Sequence, residues 1–305
     1  MTTHPTLDGK VIIVTGGGRG IGREIALAAA AEGAKIVVND AGASLDGTPT
    51  DETPAADVVA LIRKAGGEAI ADTRDVSEPG PAEAIVRGAV EAFGRLDGVV
   101  NNAGILRDRM VWKMSYNDFD AVMKVHLYGA FNISRTAAQI FREQGNGGSF
   151  VHITSTSGLV GNVGQANYAA AKLGIVGLSR SLALDLARAG VRSNCIAPFA
   201  YTRMVASIPG CDTDEFRETV KEMTAAKIAP LATFLLADDA REVSGQVFAV
   251  RGNEISVMNQ PRPTHTIHDA RGWTQASLRS RFLPLARPNL VALDTTNEVF
   301  AGEVI

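Results

Sequence analysis

The chain has 305 residues, 46% hydrophobic and 21% charged, with a formal net charge of -3. That is an ordinary globular make-up, enough for one large domain or two small ones, and a balance so near neutral speaks against nucleic acid or an anionic membrane as main partner. The two cysteines, Cys195 and Cys211, stand outside any metal-ligand spacing, so neither a disulfide framework nor a metal site is expected; with no leader-like opening and no membrane-spanning run, the expected location is cytoplasmic.

In chain order, short β-branched runs alternate with longer alanine-rich helical patterns. Strands are expected at 11–14, 36–39, 69–71, 98–100, 149–153, 191–196 and 245–250. Helices are expected between them at 24–32, 55–64, 81–93, 116–142 and 167–188. Continuous apolar strands separated by helices mean βαβ units and a parallel sheet covered on both faces. Residues 42–54, rich in Gly, Thr, Pro and Asp, read as a surface loop. After the domain at 1–252, the segment 253–305 reads as an irregular extension lying on that domain or on a neighbouring subunit, because it holds too little periodic apolar content for a core of its own.

The first strand runs into Thr15-Gly16-Gly17-Gly18-Arg19-Gly20-Ile21-Gly22, which opens a helix. Glycines let a backbone approach a pyrophosphate, and the helix N-terminus supplies amide donors and a positive dipole end. The spacing is T-G-x-x-x-G-x-G rather than G-x-G-x-x-G, since Ile21 holds the third glycine's place. Asp40 ends the second strand, where a carboxylate accepts hydrogen bonds from adenosine ribose hydroxyls and repels a 2′-phosphate. No Arg or Lys adjoins it in Val38-Asn39-Asp40-Ala41-Gly42, so NAD is expected over NADP. A surface-turn aspartate is the competing view.

Ser155 follows the strand at 149–153, on the edge where open α/β sheets bind ligands. Tyr168 and Lys172 stand four residues apart on the next helical pattern, on one face. A neighbouring cation favours the phenolate and is expected to lower the phenol's pKa. A hydroxyl to hold a substrate oxygen, a phenol to exchange its proton and a lysine to support the phenol and hold a nicotinamide ribose make a proton-handling site. A serine hydrolase is disfavoured, since no G-x-S-x-G surrounds Ser155.

Thr15-Gly16-x-x-x-Gly20-x-Gly22, Asp75-Val76, Asn101-Asn102-Ala103-Gly104, Ser155 and Tyr168-x-x-x-Lys172 together closely resemble the short-chain dehydrogenase/reductase family. The resemblance runs from about residue 10 to 251 and implies a single Rossmann-like, doubly wound α/β domain with a seven-stranded parallel sheet, in a homotetramer or homodimer. It implies NAD(P), held by Gly16, Arg19, Gly20, Ile21 and Gly22, with Asp75 and Val76 beside the adenine and Asn102, Ala103 and Gly104 along the cofactor edge. Tyr168, Lys172, Pro198 and Thr202 would attend the nicotinamide end, although Ala197-Pro198-Phe199-Ala200-Tyr201-Thr202 replaces the family's usual Pro-Gly. Val125-His126-Leu127-Tyr128-Gly129 puts His126 where the family usually has a catalytic Asn. An imidazole can hold a relay water, or it can be packed in the helix core.

With Val38-Asn39-Asp40, Gly104-Ile105-Leu106-Arg107-Asp108 and Gly161-Asn162-x-Gly164-Gln165-Ala166-Asn167-Tyr168, the chain is similar to the (3R)-hydroxyacyl-CoA and 17β-hydroxysteroid dehydrogenase type 4 branch. That implies a small-molecule secondary alcohol or ketone, apolar or CoA-linked, as substrate. A lid is expected at about 203–227, with Met204, Val205, Ile208 and Phe216 as apolar wall or as packing. A 3-oxoacyl-thioester reductase and a non-catalytic NAD-binding regulator are the alternatives.

Overall fold

The computed structural model describes residues 6–50, 53–207 and 211–301. Its strands are β1 (Val11–Thr15), β2 (Lys35–Asn39), β3 (Ala69–Asp72), β4 (Gly98–Asn101), β5 (Gly148–Ile153), β6 (Val191–Phe199), β7 (Val247–Arg251) and β8 (Glu254–Val257). The helices up to the lid are α1 (Gly20–Ala31), α2 (Pro54–Lys64), α3 (Pro79–Phe93), α4 (Tyr116–Met123), α5 (Gly129–Gln144), α6 (Thr156–Leu159) and α7 (Ala166–Asp185). After β6 come α8 (Arg203–Ala206), α9 (Asp214–Thr219) and α10 (Ala229–Leu236).

Every residue of β1 is buried, and the reason is that both of its faces are covered. Ile12 and Val14 belong to one core cluster with Ile25 of α1, Val58 of α2 and Leu235 of α10, whereas Val11 and Ile13 belong to another with Ile85 of α3 and Ile133 and Phe141 of α5. Each such side chain, once buried, contributes roughly 1.5–3 kcal/mol of apolar transfer free energy. The alternation of side chains along a strand therefore joins two helical layers through one sheet.

The order is β3-β2-β1-β4-β5-β6-β7-β8. Since β1 lies between β2 and β4, the connections diverge there and leave a crevice beyond the strands' C-terminal ends. That crevice receives the site.

The doubly wound α/β architecture is as expected, with three local corrections. The sheet has eight strands instead of seven, and β8 is antiparallel to β7. Arg251 pairs with Glu254 across a two-residue turn in which Gly252 takes φ 57°, a hairpin that the Gly252-Asn253 pair encodes locally. The extension is thus not irregular at its start; it also carries α11 (Gln275–Ser277), α12 (Leu283–Ala286) and α13 (Thr296–Val299). Third, the helix expected at 116–142 is interrupted by a π-helical segment, Lys124–Tyr128, that includes His126. Such bulges shift the side chains that follow and occur often at functional sites. In the lid, Met204 lines the cavity described below and Phe216 packs against Tyr201 with ring centroids 6.3 Å apart. Val205 is half-buried, and Ile208 lies outside the described residues.

Candidate active site

The glycine turn is built by close approach. Gly16 and Gly20 adopt φ 60° and 51°, in the left-handed region that favours glycine. Gly22 lies against the turn, since a Cβ there would sit 2.1 Å from the Gly16 carbonyl oxygen. Asn102 Nδ2 donates to the carbonyls of Thr15 (3.0 Å) and Gly16 (2.9 Å), pinning the turn to the end of β4. Thr15 Oγ1 in turn accepts from the amides of Asn102 and Ala103.

A cavity of about 600 Å³ opens over this turn. Of the residues expected to bind cofactor, Gly16, Arg19, Gly20, Ile21, Asp40, Asp75, Val76, Asn102, Ala103, Gly104 and Thr202 line it. Gly22 supports the turn from beneath, and Pro198 sits within β6 opposite Val250, apart from the cavity lining. The Asp40 carboxylate accepts from the amides of Gly18 (3.0 Å) and Gly42 (2.9 Å), so it also joins the glycine turn to the loop after β2. A cradle without room for a Cβ, a strand end bearing a carboxylate and a cleft of this size fit a dinucleotide.

Two features of this cleft escaped sequence reasoning. The first part of the 42–54 segment is a wall, with Ala43, Ser44, Leu45, Gly47 and Pro49 facing the cavity. It is held to the loop after β4 by Leu106 N donating to Leu45 O (2.8 Å) and Arg107 Nε donating to Asp46 O (2.8 Å). In addition, Arg23, Arg74 and Arg203 join Arg19 around the cavity. Looking only at neighbours of Asp40 in the chain could not find them, because they arrive from α1, from the loop after β3 and from α8.

Ser155 caps α6, its Oγ accepting from Ser157 N at 3.1 Å. Tyr168 and Lys172 follow in the first two turns of α7, and Lys172 Nζ lies 5.5 Å from the Tyr168 ring centre. That ammonium donates to the carbonyl of Ile153 at 2.6 Å, at the end of β5. The structure therefore unites Ser155, Tyr168 and Lys172, but the proton affinities differ from expectation. Burial drives the Tyr168 phenol up to about 12, against a downward pull from its hydrogen bond with Ser155, and the Asp108 carboxylate adds to the rise. Burial likewise lowers Lys172 to about 7. The expected depression of the phenol neglected the cost of desolvating a phenolate, which here exceeds the help of its neighbours.

His126 is buried in the π-helical segment, edge-on to Tyr168 with ring centroids 5.2 Å apart. Its Nε2 contacts the backbone of Ile105, 2.8 Å from O and 3.1 Å from N, while Nδ1 has no partner among the described residues. Burial, then the charge of Lys172, holds it down to about 3, so the ring is neutral. Gly104 leaves the space for it, since a Cβ there would fall 2.2 Å from His126 Cε1. His152, a second buried and neutral histidine, meets Asn101 Nδ2 through Nδ1 at 3.2 Å, and Asn101 also donates to Ser134 Oγ at 3.0 Å.

A further polar clamp had no role assigned from sequence, although its residues carry the branch resemblance. Gln165 Nε2 donates to Asp108 Oδ2 at 2.7 Å, and Arg109 N donates to Gly164 O at 2.9 Å. Asn167 Nδ2 reaches the carbonyls of Arg107 (3.0 Å) and Asp118 (3.2 Å). The loop beyond β4 is thereby fastened to the turn that launches Tyr168. Burial raises the Asp108 carboxyl, and its Oδ1 has no partner among the described residues.

The family model for short chain dehydrogenase matches residues 10–209. The hydroxyacyl-CoA dehydrogenase ChsB1 of Mycobacterium tuberculosis is 40% identical over 286 residues, 91% of this chain and 89% of that protein. The peroxisomal multifunctional enzyme type 2 of Mus musculus is 41% identical over 262 residues, which are 86% of this chain and 34% of the longer protein. Among solved structures, a short chain dehydrogenase from Mycobacterium avium superposes with a TM-score of 0.82 at 40% identity, over 94% of this chain and 97% of that one.

Proposed function

This chain belongs to the short-chain dehydrogenase family, an oxidoreductase acting on CH–OH, and we propose that it interconverts a secondary alcohol and a ketone with NAD, on a (3R)-hydroxyacyl-CoA or a hydroxysteroid-type substrate. The observation that carries this is the meeting of Ser155, Tyr168 and Lys172 past the end of β5, where Lys172 reaches a small pocket whose Val76, Ala103 and Val125 also line the glycine-bearing cleft. When bound, the dinucleotide supplies the hydride acceptor for oxidation and the donor for reduction. Ser155 holds the substrate oxygen. Tyr168 takes the hydroxyl proton in oxidation and returns it to the carbonyl oxygen in reduction. With its phenol raised to about 12, the cofactor-free protein favours the protonated, donating form, and oxidation gains as pH rises. Lys172 holds the floor of the site through Ile153 O, and neutral His126 fixes the loop after β4 through Ile105.

Asp108 is a negative charge that disfavours the phenolate, beside a ring that also faces Lys172, His126 and Ser155. Asp108→Asn keeps an oxygen for Gln165 and removes the charge. The alkaline-side ionisation in kcat/KM for oxidation is expected to move to lower pH by roughly one unit. A pH–rate profile that stays in place would show that Asp108 does not act on the phenol.

Asp40 supports NAD through its charge at the end of β2. Asp40→Asn is expected to narrow the NAD/NADP ratio of kcat/KM about tenfold, the scale of one charged hydrogen bond. The arginines around the cavity favour a second reading, a 3-oxoacyl-thioester reductase using NADPH. One assay separates the two: NAD and NADP against (3R)-hydroxyacyl-CoA esters of several lengths, hydroxysteroids and simple secondary alcohols, and NADH and NADPH against 3-oxoacyl thioesters. Preference for NADPH with 3-oxoacyl thioesters would favour the second reading, and cofactor binding without turnover of any of these substrates would sink both.

The cytoplasm as location belongs to the same proposal, and no helix among the described residues is long and apolar enough to cross a membrane. A homotetramer or homodimer is supported by the exposed aromatic face of Tyr116, Phe119, Tyr128 and Phe131 around α4 and α5. The organisation proposed is a 1–252 domain completed by the 253–305 extension.

A further inference from the structure

The extension returns to the edge of the site. Thr295 and Glu298 cap α13 reciprocally, with Thr295 N and Oγ1 donating to Glu298 Oε2 at 2.7 and 2.8 Å. At the start of that helix, Thr296 N and Oγ1 both donate to the carbonyl of Gly161, at 3.2 and 3.3 Å. Thr296 is only 7% exposed, in a segment that is otherwise almost wholly at the surface. At the other end of α13, the Phe300 ring packs on Phe199 with centroids 4.8 Å apart, and Phe300 O accepts from Arg251 Nη1 at 2.7 Å. Arg251 Nε in turn bonds Glu254 Oε2 at 2.7 Å across the β7–β8 hairpin.

These anchors lie on two different walls. Gly161 belongs to the connection between the Ser155-capped α6 and the helix of Tyr168, whereas Phe199 ends β6, three residues before Thr202. The dinucleotide cleft is bounded by the ends of β1, β2 and β4 and, after β6, by Thr202, Arg203 and Met204. The α13 segment therefore bridges the connection from Ser155 to Tyr168 and the ends of β6 and β7.

We infer that 295–300 is a specificity-determining strap: it holds the loop from Ser155 to Tyr168 through Gly161 and, with Phe199 and Phe300, walls the site between that loop and the end of β6. Its apolar pair would meet the acyl chain or ring body of a large substrate, beyond the carbinol. Thr296 is then a positioning residue for the loop that carries Gly161.

This rests on the alcohol-dehydrogenase reading, so the test has one arm that does not need turnover. With NADH bound, amide hydrogen exchange over 160–165 is compared between the full chain, a variant lacking 295–305, and Thr296→Val, which removes the hydroxyl donor alone. Exchange in that loop is expected to quicken about fivefold in Thr296→Val, the scale of one hydrogen bond, and more in the shortened chain, while exchange in β1 and β4 is unchanged. In the second arm, KM for a long-chain or steroidal alcohol is expected to rise about tenfold in the shortened chain. KM for a short secondary alcohol, kcat and NADH affinity should stay within about twofold. Unchanged loop exchange in both variants overturns the strap, as does an equal loss for short and long substrates. If shortening loosens the whole sheet, Thr296→Val decides. A full chain that oxidises no alcohol overturns the functional reading alone, and the exchange arm still judges the strap.

Discussion

Tyr168→Phe is expected to lower kcat for alcohol oxidation by about two orders of magnitude or more, the contribution of one acid/base group, while NADH affinity stays within about twofold. The substitution removes a single oxygen. The ring remains edge-on to His126 and over Lys172, so the site keeps its shape. What is lost is the hydroxyl proposed to exchange the substrate's proton, together with the hydrogen bond to Ser155. Stopped-flow single turnovers with bound NAD read the chemical step directly. Turnover near that of the unmodified protein would overturn the assignment of Tyr168, and a matching loss of NADH binding would assign it a structural role instead.

Gly22→Ala carries the largest expected effect on the scaffold. The new methyl would fall 2.1 Å from Gly16 O and 2.5 Å from Asn102 Nδ2. Neither can retreat cheaply, because Gly16 is itself held by Asn102 and a Cβ on Gly16 would stand 2.8 Å from Ala103 Cα. Overpacking of this kind costs roughly 1–3 kcal/mol, hence a fall of about 2–5 °C in Tm for a chain of this size. Dinucleotide affinity is expected to fall at least about a hundredfold, because the turn that approaches the pyrophosphate must move. Gly88→Ala is the control. It lies inside α3 with its nearest neighbour, Arg74 Nη1, 3.7 Å from the added Cβ, so it should raise stability by about 0.5–1 kcal/mol. Calorimetry and NADH titration of the two variants check both signs, and a Gly22→Ala protein with unaltered melting and binding would refute the close packing of the turn.

The parts that chain order revealed are those whose physics is local. A buried strand, a turn with left-handed glycines and a helix follow one another within a dozen residues, so the cradle was legible in 11–22. The i, i+4 stacking of Tyr168 and Lys172 needs only the helix that holds them. The β7–β8 hairpin is local too, encoded by Gly252-Asn253 between two short runs that pair antiparallel.

Where partners come from distant segments, periodicity is silent. Asp108 meets Gln165 across 57 positions, and Thr296 meets Gly161 across 135. The interruption of the helix at His126 is of the same kind, since the imidazole must reach the backbone of Ile105, 21 residues earlier, through the space Gly104 leaves.

By itself, then, the order of residues determined the doubly wound α/β class, the glycine turn at the end of β1 and the stacking of Tyr168 and Lys172 on one helix face, because each depends on backbone geometry over a few neighbours. Only the tertiary structure decided the direction in which Tyr168 and Lys172 are tuned, the arginines that share the cleft with Asp40 and the return of the extension to Gly161. Those depend on what is desolvated and on which distant segments meet, and both are settled only when the sheet brings the strand ends together.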